Sequence, residues 1–245
     1  MRLTRVHVAL PLVAGQALDL PEGPAGHLAR VLRLGVGDTC IVFNGDGHDH
    51  PARLVEVGKR HVRVEIGEGV HVDKESPLPV VLLQSVARGE KMDLVLQKAT
   101  ELGVDAVHPA WSQRSEVRLE GARADKRLAH WRSVVVSACE QSGRARVPAV
   151  EAPLPLPLAL AALPPTPLRL TLDPDGTHAL GQLEVGPGQP VVVAIGPEGG
   201  WSPQDLEQLR AAGFTGMRLG PRVLRTETAG LAVLSALQAR FGDFA

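Results

Sequence analysis

The segment Val191-Val-Val-Ala-Ile195-Gly196-Pro-Glu-Gly-Gly200-Trp-Ser-Pro203 constrains the chain most. Its apolar run reads as a buried strand, the glycines as a loop, and Ser202-Pro203-Gln204-Asp205 as the capped start of a helix. The surrounding sequence follows the same rhythm. Strands over 80–86, 106–110, 168–172, 191–195 and 217–219 alternate with helices over 91–102, 123–141, 203–212 and 227–240. Such alternation predicts an α/β fold with a mostly parallel sheet. Gly103 and Gly213 follow two of these helices where a left-handed cap is wanted. The proline-rich stretch 148–167 reads as a stiff surface connection carrying one short helix.

The first 70 residues have a different character. Segments 3–10, 39–43, 52–57 and 62–66 read as short strands, with a helical stretch over 27–34 between the first two. Asn44-Gly45-Asp46-Gly47 is a strong turn signal, because Asn and Gly tolerate the positive φ of tight hairpins. A small β-barrel with one helix is the natural package. Residues 67–79, GEGVHVDKESPLP, are polar and lack periodicity. The expected organisation is therefore a barrel over 1–70, a linker over 71–79 and an α/β domain over 80–245, and 44% apolar residues suffice for a real core in each.

The N-terminal residues lack a charged segment followed by a long apolar run, and no apolar stretch reaches the roughly 18 residues of a membrane span. A cytoplasmic protein is expected. Cys40 and Cys139 form no CxxC pair and are expected as reduced thiols in different domains. A net charge of −1 gives no global argument for a polyanionic partner, yet residues 111–150 carry eight Arg or Lys against four Asp or Glu, leaving room for a local basic face.

The loop 196–200 lies where open α/β sheets bind ligands, at the carboxyl end of a strand. Its glycines permit close backbone approach, and the helix behind it offers free N–H groups. A tight connection needing glycine for conformation alone remains the competing reading. The loop is neither GxGxxG nor GxxxxGK[ST], which disfavours a dinucleotide or a nucleoside triphosphate. The strand near 217–219 opens into Gly220-Pro-Arg222-Val-Leu-Arg225-Thr-Glu227-Thr-Ala229 and the last helix. Thr226 as a cap and Glu227 as a first-turn acid have ordinary helical explanations. Two arginines on a loop among apolar residues do not.

IGPEGGWSPQD followed by LGPRVLRTETAGLAVLSAL resembles the paired C-terminal motifs of SPOUT methyltransferases in their RsmE form. Arg88-Gly-Glu-Lys91-Met-Asp, Gln97-Lys-Ala-Thr-Glu-Leu-Gly103 and Cys139-Glu-Gln-Ser-Gly-Arg144 are similar to further signatures of that family, so the resemblance covers nearly the whole chain. It implies a PUA-like N-terminal barrel for RNA, a C-terminal domain tied in a trefoil knot, and a homodimer. It also implies S-adenosyl-L-methionine as methyl donor, held by Leu172, Ile195, Gly196, Glu198, Gly199, Gly200, Leu219, Gly220, Val223, Leu224 and Thr226, with Ala229 behind the adenine.

The reaction it implies is methylation of uridine N3 in small-subunit ribosomal RNA. No metal is required. The N3 proton must leave, so a base or a cation stabilising the developing charge should help. Glu227 and Arg225 are the candidates, with Arg222 beside them. Arg2, Arg5, Lys91, Arg114 and Arg144 are candidate RNA contacts, since arginine binds phosphate through a planar fork. A SPOUT ribose 2′-O-methyltransferase and a non-catalytic RNA-binding protein of the same fold are the alternatives.

Overall fold

The structure, a computed structural model, describes residues 3–58, 61–166, 168–176 and 178–244. Two compact units divide it. The first holds residues 1–75 together with Cys139–Val147, and the second holds Ser76–Ala138 and Pro148–Ala245.

In the first unit, strands β1 (Arg5–His7), β2 (Ala17–Asp19), β3 (Thr39–Phe43), β4 (His48–Val57), β5 (Val62–Ile66) and β6 (Val70–His71) form one sheet. Its order is β1-β3-β4-β5-β2, with β6 paired to β4; the β1–β3 pair is parallel and the others antiparallel. Alternation explains the packing. Ala52 and Leu54 of β4 and Val62, Val64 and Ile66 of β5 point into a core with Val6, Val42 and Leu28. The predicted hairpin turn joins β3 to β4, with Gly45 at φ 94° and Gly47 at φ 97°, and Asn44 Oδ1 accepts from the Asp46 amide at 3.1 Å. The helical stretch begins earlier than expected, as helix α1 (Glu22–Gly26) running into a π-helical turn over His27–Val31.

The division falls beyond the expected boundary at 70 because Val70–His71 pairs with β4 and because the Glu75 carboxylate holds Arg144 of the returning segment. That segment also puts Cys139 in the same unit as Cys40, correcting the expectation of different domains. Both cysteines are free, and burial pushes the Cys40 thiol up to about 11 and the Cys139 thiol up to about 12.

The second unit contains strands β7 (Val80–Ser85), β8 (Ala106–Trp111), β9 (Ala149–Val150), β10 (Leu154–Pro155), β11 (Leu168–Leu172), β12 (His178–Ala179), β13 (Val191–Ile195) and β14 (Phe214–Arg218). The described pairs are all parallel, in the order β10-β8-β7-β13-β11-β14-β12, with β9 on β8. Helices are α2 (Glu90–Glu101), α3 (Gly121–Ser142), α4 (Leu156–Ala161), α5 (Pro203–Ala211) and α6 (Thr226–Phe241). Alternate strand residues serve opposite faces. Val81, Leu83, Val192 and Ala194 pack with Leu156 and Leu160 of α4 and Leu209 of α5. Leu82, Gln84 and Ile195 face α6, where Gly230 lets the helix approach: a Cβ there would lie 3.1 Å from Gln84 Oε1 and 3.7 Å from Leu82 Cδ1.

The last strand sits earlier than expected, over 214–218, because it starts directly after the Gly213 cap at φ 82° and pairs along β11. Residues 219–225 are thereby freed as loop. No helix among the described residues is long and apolar enough to cross a membrane.

Candidate active site

Strands β13, β11 and β14 are neighbours and run parallel, so their carboxyl ends open side by side. The loops leaving them, with the N-terminal turns of α6 and α2, enclose a cavity of about 560 Å³. Leu172, Asp173 and Pro174 come from β11, residues 195–198 with Gly200 and Trp201 from β13, and Arg218, Leu219 and Gly220 from β14. Thr226, Glu227 and Ala229 of α6 close it, with Lys91 of α2.

Local bonds fix these loops. Thr226 Oγ1 donates to the Gly196 carbonyl at 2.6 Å and accepts from Gln84 Nε2 at 3.2 Å, joining the start of α6 to the end of β13. The Trp201 indole donates to Thr171 Oγ1 at 3.0 Å. Ser202 caps α5 as the sequence indicates: its hydroxyl accepts from the Asp205 amide at 3.1 Å, and Asp205 returns a bond to the Ser202 amide at 2.8 Å. The Asp173 amide donates to Met217 O at 3.0 Å, tying the β11 loop to β14.

Of the residues expected to hold the donor, Leu172, Ile195, Gly196, Glu198, Gly200, Leu219, Gly220, Val223, Leu224, Thr226 and Ala229 all line this cavity, as do Arg222, Arg225 and Glu227. Gly199 does not. Its missing side chain faces Arg114, whose Cβ would lie 3.2 Å from a Cβ built there.

The expected RNA contacts fare differently. Lys91 lies in the cavity wall, 3.4 Å from Glu198 Oε1 and 3.5 Å from Glu227 Oε1. Arg114 donates to the carbonyls of Gly199 and Trp201 at 3.2 and 3.3 Å and so braces the glycine loop. Arg5 is 7% exposed and Arg144 is 6% exposed; both are committed to internal partners, which corrects their assignment to RNA. Arg2 lies outside the described residues. Sequence reasoning missed Asp173, Pro174, Trp201 and Arg218, although Asp173-Pro174 directly follows a predicted strand end and was findable on that ground.

Glu227 stands out electrostatically. Oε2 is buried with no hydrogen-bond partner, and Oε1 is turned to Lys91. An ionised carboxylate has room for about four donors. No group of three or more His, Cys, Asp or Glu side chains suited to a metal ion occurs among the described residues.

Gly196 offers a direct test of the cavity. A Cβ there would sit 3.2–3.3 Å from the Trp201 ring, itself a wall residue held by Thr171. Overpacking of this kind costs about 1–3 kcal/mol, so Gly196→Val should weaken ligand binding roughly tenfold to hundredfold in calorimetry. Unchanged affinity would place the ligand elsewhere.

An RNA methyltransferase domain family matches residues 74–238, and an RNA methyltransferase PUA domain family matches residues 25–67. The ribosomal RNA small subunit methyltransferase E of Neisseria gonorrhoeae, solved bound to S-adenosyl methionine, is 41% identical with 100% of both chains covered and a TM-score of 0.94. A Legionella pneumophila protein, solved as a methyltransferase with bound cofactor SAM, is 35% identical over 99% of this chain and 100% of its own, with a TM-score of 0.95. The ribosomal RNA small subunit methyltransferase E of Mycobacterium tuberculosis is 33% identical over 228 residues, covering 90% of this chain and 86% of its own. With these likenesses running the length of the chain, it belongs to the ribosomal RNA small subunit methyltransferase E family of RNA methyltransferases.

Proposed function

We propose that this chain uses S-adenosylmethionine to methylate N3 of a uridine in small-subunit ribosomal RNA, acting as a homodimer in the cytoplasm. Donor use is supported by the two relatives solved with that molecule and by the fit of the cavity. Its volume lies within the usual range of about 300–1,000 Å³ for small-molecule sites. Leu172, Ile195, Leu219 and Ala229 supply apolar walls, Gly196 and Gly200 permit backbone approach, and Asp173 and Glu198 offer negative charge to a cationic ligand. The donor, when bound, supplies an electrophilic methyl group.

The observation that carries the base assignment is the under-occupied carboxylate of Glu227. Leaving a buried acceptor without a donor costs about 1–3 kcal/mol, and a site retains such a group where its ligand brings the donor. Uridine N3–H is a donor of that kind, and the carboxylate takes its proton. Arg222 and Arg225 line the same cavity. Their charge suits a uridine that has lost N3–H, because the negative charge then spreads onto the two flanking carbonyl oxygens. A ribose oxygen has no such neighbours.

The PUA match supports an RNA-holding role for the first unit, where Arg30 and Arg33 are exposed and better placed for phosphate than Arg5. Val223, 79% exposed beside the arginines, suits contact with a second copy. The trefoil knot belongs to the same reading, in which the 196–201 loop and the start of α6 are neighbours joined by the Thr226–Gly196 bond.

The product decides the chemistry. Methylation at N3 removes a donor from the Watson–Crick edge, so small-subunit RNA from cells lacking the enzyme should gain one strong reverse-transcription stop when enzyme and donor are added. Local resistance to alkaline cleavage without a stop would mean a ribose product and overturn the N3 assignment.

A further inference from the structure

Lys91 is the second residue of α2, where the positive end of the helix disfavours a cation. Its ammonium is held there by carboxylates from two other elements, Glu198 after β13 and Glu227 in the first turn of α6. Three segments far apart in sequence thus meet on one charge in the cavity wall. The two contacts are not equivalent. The Glu198 side chain is 29% exposed and that of Glu227 is 13% exposed, so water screens the first pair more and the restraint falls mainly on Glu227.

The arrangement also survives chemistry at Glu227. When that carboxylate becomes a neutral acid, Lys91 keeps a partner in Glu198 and is not stranded. Both distances exceed the roughly 2.7–2.9 Å of a tight charge-assisted hydrogen bond, so neither contact consumes its carboxylate. A cation needed only for phosphate would gain nothing from sitting between two carboxylates, which compete with phosphate for it.

We infer that Lys91 is a positioning residue for methyl transfer, acting through Glu227 by holding Oε1 so that the unpartnered Oε2 is kept for the nucleobase N–H. The inference rests on Glu227 being the base. In that step the N3–H bond breaks and the proton joins Glu227 at the unpartnered Oε2, while the electron pair left on N3 forms the bond to the methyl carbon as that carbon's bond to the donor sulfur breaks and its electrons stay on sulfur. Lys91 keeps its protons throughout. Other charged groups lining the cavity around Glu227 are Asp173, Arg218, Arg222 and Arg225. None of these four forms an ion pair with it, whereas Lys91 does.

The test compares Lys91→Met and Lys91→Arg in the full chain and in Glu227→Gln and Glu198→Gln backgrounds, reading kcat and, separately, donor affinity by calorimetry. Lys91→Met should lower kcat by roughly thirty- to hundredfold, as misplacement of a catalytic group does. Donor affinity should stay within about threefold, and Lys91→Arg should restore most of kcat. In the Glu227→Gln background Lys91→Met should cost nothing more, because the group it serves is gone, whereas in the Glu198→Gln background its cost should persist. Multiplicative losses with Glu227→Gln, a donor-affinity loss as large as the kcat loss, or a kcat loss below about threefold would each overturn the role. A Glu227→Gln enzyme of ordinary activity would instead sink the base assignment itself, so the two failures are distinguishable.

Discussion

Glu227→Gln should lower kcat by about 10²–10⁴, the usual contribution of a positioned general base, while donor affinity stays within about threefold. The substitution preserves shape and keeps an oxygen able to face Lys91, so the ion-pair site is weakened without being emptied. What it removes is a proton acceptor, since an amide does not take the N3 proton at neutral pH. Helix stability should change little, because a first-turn carboxylate contributes about 0.3–1 kcal/mol through the helix dipole. Single-turnover kinetics with saturating donor isolates the chemical step. A rate within a few-fold of wild type would reduce Glu227 to an ordinary first-turn acid and shift attention to Arg225.

The second unit was legible because its signals are local. A run such as Val191-Val-Val-Ala-Ile195 has one sensible fate, and Ser202, Gly103 and Gly213 punctuate helices through their own backbone chemistry. The cavity followed from the same locality: strand ends can be read, and ligands gather at strand ends. Charged residues were less legible. Nothing near Lys91 in sequence announces Glu198 or Glu227, which lie more than 100 residues away, so a cavity lysine reads like a surface one. Gly199 and Gly200 look alike on paper. The fold gives Gly200 φ 68° and a place in the cavity, while it turns Gly199 toward Arg114. Arg5 and Arg144 show the same limit, because the return of 139–147 to the first unit is a long-range event that leaves no periodic trace.

Arg5→Ala makes that last difference measurable, and it should lower the unfolding free energy of the first unit by about 3–5 kcal/mol, as removal of one partner of a buried ion pair does. Arg5 donates to Asp49 at 2.8 Å and to the Gly143 and Arg144 carbonyls at 3.0 and 2.9 Å, and its guanidinium lies 4.5 Å from the centre of the Phe43 ring. Truncation removes these four contacts, the ion pair with Asp49 among them. With a urea m-value near 2 kcal/mol/M, the midpoint should fall by roughly 1.5–2.5 M. Arg5→Lys should recover less than about half of the loss, because an ammonium cannot reproduce a fork aimed at a carboxylate and two carbonyls. Donor affinity, a property of the second unit, should be unchanged at temperatures where the variant remains folded. If Arg5→Ala instead unfolded like wild type and lost RNA affinity with a reduced salt dependence, the guanidinium would be a phosphate contact and its internal bonds would be incidental.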